Sequence, residues 1–244
     1  MVSDATSVPP PTHVRRYGDD PSQLYDVRLP TGAVRGVTVV VIHGGFWRPA
    51  VDRTHAAAQA QAFADNGFHV AVLEYRRVPG DWAGMSADVR TGLGAIRSDA
   101  DLPEPVILIG HSAGGHLVTW LQHQPEARGI RGTVSLAGAV DLHLVRDLGL
   151  GAGAAPAMMG DADEHVWRAA DPALLGPPPA PVLLVHGTAD ESVPVEVSES
   201  YQAAAGDGVP LEVLSGVTHM ELVEPGTRGF EAALRAVNSL ADQA

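Results

Sequence analysis

The residues most able to do chemistry form the motif G-H-S-A-G at positions 110–114, with Ser112 at its centre. An apolar stretch at 106–109 precedes the motif and a segment with helical apolar spacing follows it, which is typical of a strand, a sharp turn and a helix. Glycines suit so tight a turn, because bulkier neighbours would clash with the adjoining strand and helix. The pattern therefore predicts that the Ser112 hydroxyl oxygen is a nucleophile, with an ordinary glycine turn as the alternative.

A serine hydroxyl at neutral pH needs a base to take its proton, and the base needs an acid that fixes its tautomer. His219 follows the last predicted strand and lies downstream of Ser112, as the chain order serine, acid, histidine requires. Asp190, in the loop after an earlier buried strand, is the favoured acid. Its neighbour Glu191 and the upstream Asp141 are the alternatives for this role.

Attack by a serine on a carbonyl carbon places negative charge on oxygen, and this charge needs hydrogen-bond donors that are already in place. One predicted donor is the backbone N–H of Ala113, directly after the serine. The other is predicted in the loop after an earlier strand, where the sequence reads H-G-G-F-W at 43–47. Glycines let a backbone approach the substrate closely, so Gly44, Gly45 and Phe46 are the candidate oxyanion residues.

Large apolar side chains near the strand ends are candidates for the substrate pocket. Trp47, Trp82 and Met220 are predicted to line an apolar or aromatic cavity, with packing beneath loops as the alternative for each. Arg48 is placed to meet a substrate carboxylate, with a surface position as the alternative. The predicted reaction needs no metal and no cofactor.

The elements that must position these residues alternate along the chain, with short β-branched runs between segments of helical spacing. Such alternation predicts an α/β fold with a mostly parallel, twisted sheet and helices on both faces, and chemistry at the carboxyl ends of the strands. The predicted strands are 37–42, 69–75, 106–109, 133–137, 181–186 and 211–214, and the main predicted helices are 54–66, 86–98, 198–205 and 229–240.

The chain divides into three predicted parts. Residues 1–12, with three consecutive prolines, are predicted to be a mobile leader. Residues 13–244 are predicted to form a single domain. Within it, residues 141–179 break the alternation with Gly-, Ala- and Pro-rich sequence, which favours a short cap insertion over the strand ends.

Composition limits the classes of function. A chain of 244 residues, 45% of them hydrophobic, suits one domain with a sizeable core. The net charge of −13 argues against nucleic acid or an anionic membrane as a partner, and the lack of cysteine excludes disulfides and thiolate metal sites. We find no secretory signal and no apolar run of the ~20 residues that span a bilayer. We therefore predict a cytoplasmic monomer or homodimer whose partner is a small-molecule ester or amide.

In combination, the motifs around positions 43–47, 110–116, 186–190 and 218–219 resemble those of α/β-hydrolases. The H-G-G-x-W form of the first motif resembles kynurenine formamidases (arylformamidases) and their esterase relatives, including the hormone-sensitive-lipase-like group. The resemblance implies an α/β-hydrolase fold, with Ser112 as nucleophile, Asp190 as acid and His219 as base. It also implies hydrolysis of small-to-medium carboxylic esters or aryl formamides through an acyl-enzyme.

Two other functions fit the same motifs. One is a peptidase of the prolyl-oligopeptidase kind, although no propeller or other gating domain precedes Ser112. The other is a catalytically silent α/β-hydrolase that binds a ligand, because a fold does not by itself imply an activity.

Overall fold

Eight strands and eight α-helices make up the part of the chain that the computed structural model describes, residues 8–206 and 208–243. The strands are β1 (His13–Arg16), β2 (Leu24–Arg28), β3 (Thr38–Ile42), β4 (His69–Leu73), β5 (Val106–His111), β6 (Gly132–Leu136), β7 (Val182–Gly187) and β8 (Leu211–Leu214). The helices are α1 (Ala57–Asp65), α2 (Trp82–Arg97), α3 (Ala113–Leu121), α4 (Leu142–Asp147), α5 (Leu150–Met159), α6 (Glu164–Ala170), α7 (Glu196–Ala205) and α8 (Arg228–Ala241).

All strands belong to one sheet, in the order β1-β2-β4-β3-β5-β6-β7-β8. The six strands from β4 to β8 in this order pair in parallel, whereas β1 with β2 and β2 with β4 are antiparallel. The predicted fold class, an α/β-hydrolase fold with a mostly parallel sheet, is confirmed. Its topology brings the segments that follow β3, β5, β7 and β8 to the same edge of the sheet, where ligands of such folds bind.

The central strands are buried on both faces, which explains why they consist of β-branched and other apolar residues. In β3, Val40 and Ile42 point into the layer that contains α2 and α3. Val39 and Val41 point into the opposite layer, with α1 and α8. The helices of each layer pack their apolar sides against the sheet. The carboxyl ends of the strands are therefore fixed in position and can hold a site.

The first two strands are absent from the sequence prediction. All four side chains of β1 are exposed, and the strand is held by its ladder to β2, with His13 opposite Val27. An exposed edge strand has no apolar side to fill, so its sequence does not carry the alternation that marks a half-buried strand. The predicted leader overlaps this region, because Thr12 N donates to Val27 O at 2.8 Å. Residues 1–7 of the predicted leader lie outside the described residues.

Helix α2 begins earlier than predicted, at Trp82 rather than near residue 86. Asp81 caps it, since the side chain accepts a hydrogen bond from Gly84 N at 2.8 Å. The predicted helix over 54–66 is a 3₁₀ turn at Arg53–Ala56 that continues into α1. The first correction matters for the site, because it moves Trp82 from a loop to a buried helical turn.

The insertion at 141–179 contains α4, α5 and α6, and hydrogen bonds join its two ends to each other. A buried carboxylate, Asp171, accepts hydrogen bonds from Leu142 N at 2.9 Å and His143 N at 3.1 Å. Residues 151–153 at the start of α5 have left-handed backbone angles, and Arg48 donates to the carbonyl oxygen of Gly151. The insertion therefore contacts the loop that follows β3. None of the described helices is long and apolar enough to cross a membrane.

Candidate active site

Ser112 lies at the sharp turn between β5 and α3. Its backbone angles are φ 57° and ψ −121°, a strained combination for a residue with a side chain. Hydrogen bonds hold it there: Ser112 N donates to Leu136 O at 2.9 Å, and Ala139 N donates to Ser112 O at 3.1 Å. The surrounding structure thus fixes the conformation that the sequence motif predicts.

Two glycines make this turn possible through close backbone contacts. A Cβ atom on Gly110 would lie 2.1 Å from Gly114 O, and one on Gly114 would lie 2.0 Å from Ile42 O. Real Cβ atoms do not come so close to backbone oxygens, so neither position accepts a side chain without movement of the turn. The glycines of the motif are required by packing as well as by conformation.

Replacing Gly110 with alanine is therefore expected to lower the free energy of unfolding by about 3 kcal/mol, the upper part of the usual range for overpacking. The matched control is Gly94→Ala in α2, where a Cβ would meet nothing within 4 Å. That change should raise stability by about 0.5–1 kcal/mol, because alanine favours a helix over glycine. Urea unfolding of both variants measures the difference, and equal stabilities would contradict this account of the turn.

His219 and Asp190 form a short hydrogen bond after β8 and β7. The distance between His219 Nδ1 and Asp190 Oδ2 is 2.6 Å. The other carboxylate oxygen, Asp190 Oδ1, accepts hydrogen bonds from Ser192 N and Val193 N, both at 2.8 Å. Both carboxylate oxygens therefore have partners, and the imidazole is held with its Nδ1–H towards the acid and its Nε2 free for another contact.

The Asp190 carboxylate stays ionised although its side chain is only 1% exposed. Burial raises the pKa of Asp190, but contacts with His186 and His219 and the Val193 N–H outweigh it and hold the pKa well below its usual range. His186 is itself fully buried, with ring nitrogens 2.8 Å from Val193 O and 2.8 Å from Ser198 Oγ. It supports the loop that carries Asp190.

Neither of the two alternative acids, Asp141 and Glu191, forms a hydrogen bond with His219. Asp141 caps α4, since its side chain accepts from Leu144 N at 2.8 Å and from Ser200 Oγ at 2.6 Å. Glu191 is exposed. The geometry therefore pairs His219 with Asp190 and assigns Asp141 to the end of a helix.

Ser112 and His219 line the same open cavity, which has a volume of about 130 Å³. Ser112 and His219 make no hydrogen bond to each other, and such a contact can form only when a substrate binds. Apolar and aromatic groups supply most of the other walls. They include Gly45, Phe46, Val51, His55 and Met220.

The predicted pocket residues are placed differently from one another. Met220 lines the cavity, but Trp47 and Trp82 do not. Both indoles are buried in the core around His116, with ring centroids 5.3 Å and 5.6 Å from its imidazole. Arg48 contacts the insertion through its bond to Gly151 O, and it is not among the residues that line the cavity. Inward packing of the two indoles is the reason that this part of the pocket prediction differs from the structure.

The loop after β3, which the sequence predicts to bind the oxyanion, has a strained backbone. Gly45, Phe46 and Trp47 all have positive φ, at 110°, 50° and 55°. Two of these residues are not glycine, and such strain collects at functional sites. Gly44 lies against the serine turn, because a Cβ on it would be 3.1 Å from the Ser112 Cβ. The predicted oxyanion residues of this loop are thus next to the predicted nucleophile.

Ala113 is the first residue of α3, at the other side of the same turn. The first N–H groups of a helix have no intrahelical partner, and they carry the positive end of the helix dipole. An oxygen anion beside Ser112 would therefore find N–H donors at the start of α3.

Two histidines near the serine were not predicted from the sequence. His111 Nε2–H donates to the backbone oxygen of His219 at 3.0 Å, so it supports the loop of the predicted base. Burial lowers the pKa of His111 well below its usual range, which keeps the ring neutral. His55 lies on the cavity wall, 6.4 Å from the His111 ring. His111 is part of the serine motif, whereas no local pattern marks His55.

No group of three or more His, Cys, Asp or Glu side chains within residues 8–206 and 208–243 is arranged to hold a metal ion.

The amino-acid sequence is similar to that of a plant methylesterase. The chain is 25% identical over 240 residues to an isoprenylcysteine alpha-carbonyl methylesterase of Arabidopsis thaliana, covering 84% of this chain and 56% of that protein. It therefore spans little more than half the length of this curated relative.

Solved esterases share the architecture. Esterase B of Lactobacillus rhamnosis, inhibited by a tributyrin phosphonate, superposes with a TM-score of 0.77 at 19% identity, over 97% of this chain and 89% of that one. Esterase 2 of Thermogutta terrifontis, phosphonylated by sarin, has a TM-score of 0.72 at 20% identity, over 93% and 92% of the two chains. At these identities the likeness shows the fold.

The family is shown by a sequence profile. The BD-FAE profile matches residues 25–204, about three quarters of the chain and most of the elements that surround the predicted site. The chain is thus an esterase-like α/β-hydrolase and belongs to the BD-FAE family.

Proposed function

We propose that this chain is a serine carboxylesterase that hydrolyses small-to-medium esters through a Ser112–His219–Asp190 triad. The observation that carries the proposal is the 2.6 Å hydrogen bond between His219 Nδ1 and Asp190 Oδ2, made beside a cavity that Ser112 also lines. A histidine oriented by a buried carboxylate, beside a cavity that it shares with a strained serine, fits the arrangement that activates a serine hydroxyl.

The mechanism follows from these positions. His219 Nε2 takes the Ser112 proton as the serine oxygen attacks the acyl carbonyl carbon, and Asp190 stabilises the imidazolium that forms. Backbone N–H groups near Gly45 and Phe46, with that of Ala113, hold the oxyanion. The tetrahedral intermediate then collapses, the acyl–oxygen bond breaks, and the imidazolium gives its proton to the leaving alcohol. Water repeats the sequence on the acyl-enzyme and releases the acid.

The substrate is proposed from the cavity and from the relatives. A volume of about 130 Å³ accommodates a short acyl chain, and its walls of Phe46, Val51 and Met220 favour an apolar one. The curated relative is a methylesterase by name, and the solved neighbours are esterases, which supports an ester rather than an amide as the bond cleaved. The partner is accordingly a small-molecule ester.

The test compares purified wild type with Ser112→Ala on p-nitrophenyl acetate, butyrate and decanoate and on N-formylkynurenine. Wild type should reach a kcat/KM of about 10⁴ M⁻¹s⁻¹ or more on the two short esters, within the usual range of enzymes. The decanoate value should be about tenfold lower or less, because the cavity is small. Faster turnover of the formamide than of every ester would assign the chain to the formamidases. Wild-type rates equal to those of Ser112→Ala on all four compounds would support a catalytically silent protein.

A further inference from the structure

Glu74, the residue directly after β4, is a buried carboxylate to which the mechanism above gives no role. It is 3% exposed and makes four contacts. Its Oε2 accepts from Arg53 N at 2.9 Å, and its Oε1 accepts from Tyr75 N at 2.8 Å. The same Oε1 lies 3.1 Å from His43 Nε2 and pairs directly with Arg77. A buried carboxylate with so many donors is held in one position.

Two of these contacts lie at opposite ends of the loop that follows β3. His43 is the first residue after that strand, and Arg53 begins the 3₁₀ turn that leads into α1. Between them lie the residues proposed to bind the oxyanion. Glu74 therefore joins both ends of the loop through one carboxylate group, Oε1 at His43 and Oε2 at Arg53.

Tyr75 adds to the support at His43. Its ring stacks on the His43 imidazole, with centroids 4.7 Å apart and planes 20° apart. Its hydroxyl donates to His43 O at 3.0 Å. Both the side chain and the backbone of His43 are thus fixed by two consecutive residues after β4.

The loop itself contains few backbone hydrogen bonds that could hold its shape. Arg48 N donates to Gly45 O at 3.0 Å, and Val51 N donates to Arg48 O at 3.4 Å. Three consecutive residues with positive φ lie in this stretch, and such strain persists only where the surroundings enforce it. Burying a carboxylate is costly unless it is paired and hydrogen-bonded, so its presence here needs a reason.

We propose that Glu74 is a positioning residue that fixes both ends of the oxyanion loop, and so keeps the N–H groups near Gly45 and Phe46 aimed at the oxygen of the reacting carbonyl. This inference rests on the proposed function. Because an oxyanion exists in the transition state and not in the bound ester, loss of the positioning lowers kcat much more than it raises KM.

The test uses Glu74→Gln and Glu74→Asp. Glutamine has the same shape without the charge, and aspartate keeps the charge beside Arg77 but is one methylene too short to reach both His43 and Arg53. We expect each variant to lose about 10- to 100-fold in kcat for p-nitrophenyl acetate, the size expected of a small misplacement of a reacting group, with KM changed by less than about threefold. If Glu74→Gln does not fold, Glu74→Asp alone decides.

A transition-state mimic separates positioning from stability. A trifluoromethyl ketone forms a hemiketal with Ser112 whose oxygen is an anion, so its inhibition constant should rise by the same factor as kcat/KM falls. The matched control is Asp88→Asn, because Asp88 is 1% exposed and pairs with Arg76 at 2.7 Å without contacting the loop. That variant should lower the unfolding midpoint and leave kcat and the inhibition constant within about twofold of wild type.

The outcomes of the two proposals are distinguishable. Wild-type turnover that survives in Ser112→Ala contradicts the proposed function. Turnover that depends on Ser112 but keeps its kcat and inhibition constant in the folded Glu74 variants overturns the role of Glu74 alone. Equal losses in Asp88→Asn and Glu74→Asp would also overturn it, because they would assign both effects to stability.

Discussion

Ser112→Ala is expected to lower kcat for p-nitrophenyl acetate by roughly 10⁵-fold or more, as removal of the nucleophile does in serine hydrolases that act through a triad. The variant loses the Ser112 hydroxyl oxygen, while the alanine keeps the backbone and the hydrogen bond from the N–H of residue 112 to Leu136 O. The unfolding midpoint should therefore stay close to that of wild type. Steady-state kinetics and thermal unfolding on the same preparations measure both quantities.

Ser192→Ala is the matched control for this experiment. Ser192 lines the same cavity, and its backbone N–H rather than its side chain contacts Asp190. Loss of the Ser192 hydroxyl should change kcat by less than about threefold, because alanine keeps the backbone N–H that contacts Asp190. A fluorophosphonate probe adds a readout that does not depend on the choice of ester, since it should label wild type and Ser192→Ala but not Ser112→Ala. Equal labelling of all three would contradict the role of Ser112.

The strands of the sheet could be predicted where burial of the strand determines which residue types it contains. A strand buried on both faces must be apolar throughout, and β3, with Thr38 followed by four β-branched apolar residues, reads in this way. The turn at Ser112 could be predicted because both of its glycines stand in one short motif, and the contact that excludes a side chain at Gly110 is with Gly114 O, four residues on. The contact that excludes one at Gly114 is with Ile42 O, which only the folded sheet brings near. Strand β1 could not, because its stability comes from the ladder to β2 and not from the burial of its side chains.

The wall of the cavity was harder to predict, for a different reason. Whether Trp47 points into the cavity or the core depends on the signs of φ at three consecutive residues of the loop, and two of these are not glycine. Trp82 is a case where the signal was present, since Asp81 is a favoured residue at a helix start and places the indole on the first turn of α2. No local sequence pattern marks the contacts of the Glu74 carboxylate, because its hydrogen-bond partners come from three separate parts of the chain.

Asp190→Asn is the second change with a large expected effect, a loss of about 10³- to 10⁴-fold in kcat, similar to the loss of the acid in other serine triads. Asp190 Oδ1 accepts two backbone N–H groups, so an asparagine would keep its carbonyl oxygen there and turn its NH₂ towards His219 Nδ1. Nδ1 would then have to accept, and the ring proton would move to Nε2. An imidazole with its proton on Nε2 cannot take one from Ser112.

The two alternative acids supply the controls, and they make the outcome specific to Asp190. Glu191→Gln should leave kcat within about twofold of wild type, since the exposed carboxylate has no place in the network. Asp141→Asn keeps a capping oxygen but removes a negative charge from the N-terminus of α4, so it should lower stability by no more than about 1 kcal/mol and leave kcat unchanged. If Glu191→Gln instead loses activity while Asp190→Asn keeps it, the acid is Glu191 and the loop after β7 must rearrange when substrate binds. If only Asp190→Asn loses activity, and its folded fraction matches wild type, the loss comes from the tautomer of His219 rather than from the stability of the loop.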